Sequence, residues 1–240
     1  MAEAIWVYGV QDAAAARPPA GPGVDPAHPV EQVRHAGLAA VASRIDLARF
    51  GADALSESLE DLETLGALAR AHDRVLGEAL GAGALVPFSM CTLYTSLDGV
   101  RAMLARERTS LARALERLRG RSEWGVKGFA PATPAPPAAQ ATTGAEYLAR
   151  KSAVKRDRNA LEAAVAAVHE ALAAAADAAT LSPLQDPRLA GRTEEMVLNG
   201  VYLVADADVF AFRALVADLV ARHHVPLEVT GPWPAYHFSR

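Results

Sequence analysis

Cys91 and seven histidines are the side chains best suited to nucleophilic, metal-binding or proton-transfer chemistry in this sequence, and their spacing argues against most of it. His72 falls on the apolar side of a helical pattern, where a hydrogen-bonded core histidine explains it better than a ligand or a base. His223 and His224 are adjacent, so on a helix they point about 100° apart and cannot chelate one metal from one face. They read instead as last-turn residues favoured by the helix dipole. Cys91 has no motif that would activate a thiolate and reads as a small packed hydrophobe. Glu57, Glu60, Asp61 and Glu63 form a carboxylate cluster, but in the first turns of a helix, where acids stabilise the positive end. The glycines of "GEALGAGAL" lack the spacing and the Lys-Ser/Thr ending of a phosphate loop and read as a helix stop. With no Ser-His-Asp, zinc or dinucleotide signature either, the sequence predicts no enzyme, no cofactor and no metal site.

Two other stretches suggest binding. Arg150, Lys151, Lys155, Arg156 and Arg158 make the early turns of a long helix basic in a chain whose net charge is −4. Such a patch suits an acidic protein partner, and the plain alternative is a solvated helix face. The chain closes on "TGPWPAYHFSR", where Pro232 and Pro234 restrict the backbone and Trp233, Tyr236 and Phe238 are expected to dock. We expect them in the groove between two domains, as an inter-domain latch, with exposed rings that bind a partner as the rival reading.

The elements that must position these residues can be read from periodicity. At 240 residues, 51% hydrophobic and 22% charged, the chain is expected to form two modest globular domains. The single cysteine fits a reducing cytoplasm. "MAEAIWVYGV" resembles neither a signal peptide nor an anchor, and no apolar run is long enough for a membrane span. "EAIWVYGV" reads as a strand, "QDAAAARPPAGPGVDPAHPV" as a long loop and "GLAAVASRI" as a second strand. A helix follows, with Leu62, Leu65, Ala69, His72, Leu76 and Ala79 on one face and a Ser58/Asp61 capping box at its start. "ALVPFSMCTLY" is a third strand, "SLDGVRAMLARERTSLARALERL" a second helix with Val100, Leu104, Leu111, Leu115 and Leu118 inward, and "EWGVKGF" a closing strand.

This order predicts an α+β fold of two domains. Each is a modified ferredoxin-like sandwich of helices on a mostly antiparallel sheet, and the second carries a long projecting helix. The expected boundaries are 1–130 for the first domain, 131–143 for a Pro/Ala-rich linker and 144–240 for the second. Thr143 and Glu146 read as a capping box, and Tyr147, Val154, Leu161 and Val168 repeat every seven residues along a helix reaching towards Ala178. Four residues after these positions stand Lys151 and Arg158 in the first half but Val165 and Leu172 in the second, so the early turns should bury only a narrow seam. "MVLNGVYLVA" reads as a strand, "DADVFAFRALVADLVARHH" as a helix with Val209, Phe212, Val216 and Leu219 inward, and "PLEVT" as a short strand.

"GVYLVADADVFAFRALVADLV" followed by "LEVTGPWPAYHF" closely resembles the C-terminal signature of the gas vesicle GvpL/GvpF family. "WVYGV", "ARAHDRVLGEAL", "LVPFSM", "EWGVKGF" and "GAEYLARK" match family landmarks in order, so the resemblance covers nearly the whole chain. One departure is "VPFSMCT". Ser89, Met90 and Cys91 stand where the family carries an arginine and a Phe-Gly pair, and that arginine's role is not carried over. The resemblance implies a cytoplasmic, gas vesicle-associated, non-enzymatic accessory or minor structural protein. Its implied partners are the small shell protein GvpA and other vesicle accessory proteins, with no nucleic acid and no membrane. The alternative function is a ferredoxin-like module that binds RNA or a small regulatory ligand. RNA-binding sheets display aromatics on exposed central strands, and "GLAAVAS" and "GVYLVAD" supply at most one such ring.

Overall fold

The chain divides into two compact units, Met1–Ser122 with Trp233–Arg240, and Glu123–Pro232. The computed structural model describes residues 3–50, 61–131, 144–186 and 193–239. Each unit holds one sheet and its own apolar core.

In the first unit, β1 (Glu3–Asp12) is flanked by β3 (Leu38–Asp46) and β4 (Leu85–Pro87), with β2 (Val30–His35) outside β3 and the short β5 (Leu93–Tyr94) also on β1. Every one of these pairings is antiparallel. β1 shows no polar alternation because it is central: Ile5 through Val10 are all buried. Trp6 and Tyr8 join the core with Phe50 of the one-turn α1 (Leu47–Phe50), under α2 (Leu62–Leu80), whose Val75, Leu76 and Ala79 complete it. β2 was not anticipated, lying between the expected loop, which ends at Val30, and the expected strand, which begins at Gly37. It forms because Ala36 and Gly37, both at positive φ, make a two-residue turn that folds "VEQVRH" back on β3.

Asp61 caps α2, accepting from the amides of Glu63 and Thr64, while Ser58 lies outside the described residues. The inward face of α2 is rotated from the expected one. Leu68 and Val75 are buried beside His72, Leu76 and Ala79, whereas Leu62 is 83% exposed. The second expected helix is two, α3 (Leu97–Arg106) and α4 (Arg108–Leu118), joined at Glu107, whose carbonyl accepts from the Ser110 hydroxyl. The inward set Val100, Leu104, Leu111, Leu115 and Leu118 is buried as expected.

The second unit contains α5 (Gly144–Ala174), α6 (Val209–His223) and a sheet in the order β7 (Ala178–Leu181), β8 (Met196–Ala205), β6 (Arg121–Phe129), β9 (Leu227–Trp233). β6 therefore pairs with the second sheet, and the division falls at residue 122/123 rather than after 130. Its Trp124 and Val126 pack with Val168, Leu172, Leu198, Phe212, Val216 and Leu219 in the second core. The expected linker, from residue 132 on, and Thr143 lie outside the described residues. α5 stops at Ala174, short of Ala178, because residues 178–181 extend into β7 and pair with β8.

Two glycines of the closing signature have steric reasons. A Cβ on Gly200 would fall 2.4 Å from the hydroxyl of Tyr202, whose ring lies over it two residues along the strand. Gly231 sits at φ +130°, and a Cβ there would meet the Glu123 carbonyl oxygen at 2.9 Å.

Candidate functional site

His72 is where "WVYGV", "ARAHDRVLGEAL" and "LVPFSM" meet. The Trp6 indole Nε1 donates to His72 Nδ1 at 3.0 Å, and His72 Nε2 lies 3.3 Å from the Phe88 carbonyl oxygen. An indole N–H can only donate, so Nδ1 is the acceptor and the ring proton sits on Nε2, which donates to Phe88. The imidazole is 2% exposed and neutral. Burial pushes its pKa down, and the Phe88 carbonyl and Asp73 only partly offset this. With both nitrogens engaged and the ring buried, His72 is a structural tie.

Asp25, which sequence reasoning missed, organises the loop before β2. Its carboxylate is 1% exposed and receives the Ala27 amide at 3.2 Å, the Asp46 amide at 3.3 Å and Arg49 Nη1 at 3.0 Å, with His28 Nδ1 at 3.2 Å. Burial raises its pKa, but those donors and the Arg49 charge outweigh burial and hold it below the usual value. Next to it, the Val24 amide donates to the Tyr8 hydroxyl, which also pairs with Ser43. These bonds fix a Pro/Gly-rich segment without secondary structure.

The other chemical candidates are structural as well. Cys91 is half-buried against the first core, and burial raises its thiol pKa, which keeps it protonated and unreactive. His223 ends α6 and His224 caps it in the left-handed conformation. Glu57 and Glu60 lie outside the described residues. Among the described residues no cluster of histidine, cysteine and carboxylates could hold a metal, and no helix is long and apolar enough to cross a membrane.

The structure brings the basic residues together with something the sequence did not reveal. All five of Arg150, Lys151, Lys155, Arg156 and Arg158 are exposed, and only Arg158 makes an ion pair with a described residue, Glu162 at 3.2 Å. At about 100° per residue, Arg150, Lys151, Lys155 and Arg158 share one side of α5 with Val154, and Arg156 points away. That same side, continued towards the C-terminus, walls a groove of about 860 Å³ closed opposite by the end of β7 and the start of β8. Leu161, Val165, Leu181, Leu184, Met196 and Leu198 make it apolar. The bank opposite the helix showed in the sequence only as a pair of leucines in "LSPLQDP".

In the tail, Pro234 and Ala235 are the buried residues, Phe238 is half-buried, and Trp233 and Tyr236 are 42% and 37% exposed. The tail belongs to the first unit, where the Tyr236 hydroxyl donates to Asp73 Oδ1 at 3.2 Å and Arg117 Nη2 donates to the Phe238 carbonyl at 3.0 Å.

This is a two-sheet α+β protein whose polar clusters are internal ties and whose open features are a basic helix side and an apolar groove. The sequence pattern of the gas vesicle synthesis protein GvpL/GvpF family matches residues 4–240, and the chain belongs to that family. It is 36% identical to gas vesicle protein L of Streptomyces sp. (strain CB03234), over 88% of this chain and 83% of that protein. The crystal structure of gas vesicle protein GvpF from Anabaena sp. PCC7120 superposes with a TM-score of 0.70 at 17% identity, covering 99% of this chain and 96% of that one. GvpF from Microcystis aeruginosa gives 0.67 at 15%, covering 99% of each chain. The protein's role is therefore a gas vesicle one.

Proposed function

We propose that this protein is an accessory or minor structural component of gas vesicle assembly, acting in the cytoplasm at the vesicle, and that it binds the shell protein GvpA and other vesicle accessory proteins through the basic side of α5. The observation that carries the reading is the family match along nearly the whole chain. Exposure supports the choice of surface. The stretches "WVYGV" and "GVYLVA" are largely core, whereas "GAEYLARK" leaves Tyr147 and Leu148 58% and 62% exposed beside Arg150 and Lys151.

Deleting this gene, together with any second family member of the same cluster, should leave the host without gas vesicles or with few, and with ordinary growth. Normal vesicles in that strain would refute the role. GvpA should co-purify with the tagged protein. Reversing Arg150, Lys151 and Lys155 to glutamate should weaken that recovery with little change in melting temperature, since exposed charges contribute about 0–1 kcal/mol. Recovery indifferent to the reversal and to salt would reduce the patch to a solvated face. Recovery of RNA in place of GvpA would favour a nucleic-acid-binding module.

For the tail, the proposal remains an inter-domain latch built on Trp233, Tyr236 and Phe238. It is supported by the chain order, in which β9 runs in the second unit up to Pro232 and the tail fastens to the first. Truncation before Trp233 should then lower the melting temperature by several degrees. A truncated protein that melts normally but no longer binds GvpA would make the tail a docking element instead.

A further inference from the structure

The second unit leaves its longest helix only partly covered. Val168 and Leu172 are sealed in the core, yet Val154, seven residues before Leu161 on the same stripe, is 63% exposed, and across the groove Leu181 and Leu184 are each 57% exposed. Unpartnered apolar side chains on both banks of an 860 Å³ groove mark an interaction surface. The groove runs beside α5 from Val154 to Glu170, a helical length of about 24 Å at 1.5 Å per residue. A trough of that length, flanked by a helix on one side and strand ends on the other, suits four to five turns of a further helix. A small ligand would leave Val154, Leu181 and Leu184 in water.

Charge is distributed unevenly along it. The end nearer the start of α5 carries Arg150, Lys151, Lys155 and Arg158, with Asp157 among them. Further along stand Glu162, which is paired with Arg158, and Glu170, whereas Glu195, just before β8, lies back towards the basic end. We propose that the α5–β7–β8 groove is the seat of an amphipathic helix from a protein partner. That helix presents an apolar stripe to Leu161, Val165 and Leu198, acidic residues to the Lys151/Lys155 end and basic residues to the Glu170 end. The inference rests on the docking role proposed above and specifies its geometry: the basic turns are one end of a longer site with two poles.

The probe is a fluorescent synthetic helix with leucines at i, i+3, i+4 and i+7 repeats, glutamates at one end and lysines at the other, titrated into the full-length protein. Two analogues carry glutamates at both ends or lysines at both ends. The two-poled peptide should bind at least tenfold more tightly than either analogue. Val154→Asp, Leu181→Asp and Leu184→Asp change exposed residues, so each should melt within about two degrees of the parent and lose at least tenfold in peptide affinity. Lys151→Glu with Lys155→Glu should invert the ranking in favour of the doubly basic peptide. Equal binding of all three peptides, or binding unaffected by the three aspartates, overturns the proposal. A concentration-dependent dimer dispersed by Leu181→Asp also overturns it, because a second copy of the chain would then fill the groove. Co-purification of GvpA unaffected by the aspartate variants would sink the groove and leave the proposed role standing. Peptide binding that obeys these rules in a protein that never recovers GvpA would do the reverse.

Discussion

Replacing Asp25 by leucine is expected to destabilise the protein by about 3 kcal/mol, the sum of a few charge-assisted hydrogen bonds less what solvent regains, and to lower its melting temperature by on the order of 10 °C. Two backbone amides, those of Ala27 and Asp46, would lose their acceptor inside the fold, and Arg49 would swing into water, where it is already 58% exposed. Asp25→Asn keeps the shape and part of the bonding, so it should fall between the parent and the leucine variant. Acid separates charge from shape. The folded carboxyl has a lower pKa than the unfolded one, whose ordinary value is 3.8. The unfolded chain therefore takes up the proton first, and the stabilisation present above about pH 3.8 is lost as pH falls through the folded value. The gap between parent and Asp25→Asn should accordingly narrow below pH 3.8. A leucine variant that melts within a degree or two of the parent would show that the loop is held by packing alone.

The elements with strong internal periodicity were legible in the sequence: β1, β3, α2, the α3–α4 pair, β8 and α6. So were most of their inward residues. Features that depend on partners distant along the chain were not. β6 carries its own β pattern, but nothing within "EWGVKGF" says which sheet it joins; that is decided by Trp124 and Val126 meeting Phe212 and Leu219. β7 is four residues of "AATL", too short and too rich in alanine to stand out from the end of α5. The basic turns were visible because charge is local information. The groove they border was not, because its banks are Leu161 and Leu181 on elements whose meeting the sequence does not announce. The same holds for Asp25, an unremarkable residue in "VDPAHP" whose importance lies with the amides of residues 27 and 46.

His72 should make the protein's stability depend on pH in a window well separated from that of Asp25. In the folded state its Nδ1 accepts from Trp6 and its Nε2–H donates to Phe88, and a second proton could enter only by displacing the indole. Burial lowers the folded pKa from the ordinary 6.5, so the unfolded chain again binds the proton more readily. Stability is then flat above about pH 7.5 and declines as pH falls from about 6.5 towards the folded value. Between pH 6.5 and 5 the loss cannot exceed about 2 kcal/mol, at 1.4 kcal/mol per pH unit for one group. The chain holds seven histidines, so the comparison that isolates His72 is with His72→Gln. A glutamine can accept from Trp6 and donate to Phe88 without ever becoming charged. Its melting temperature should fall less than the parent's between pH 7 and 5, so the two curves converge or cross on the acid side even if the variant is slightly less stable at pH 7. Equal declines would mean that the folded imidazole accepts a proton as freely as the unfolded one. The indole bond would then not hold it neutral, and the junction of "WVYGV", "ARAHDRVLGEAL" and "LVPFSM" would have to be held by ring packing, with the His72 centroid 5.3 Å from that of Tyr8 and 6.0 Å from that of Trp6.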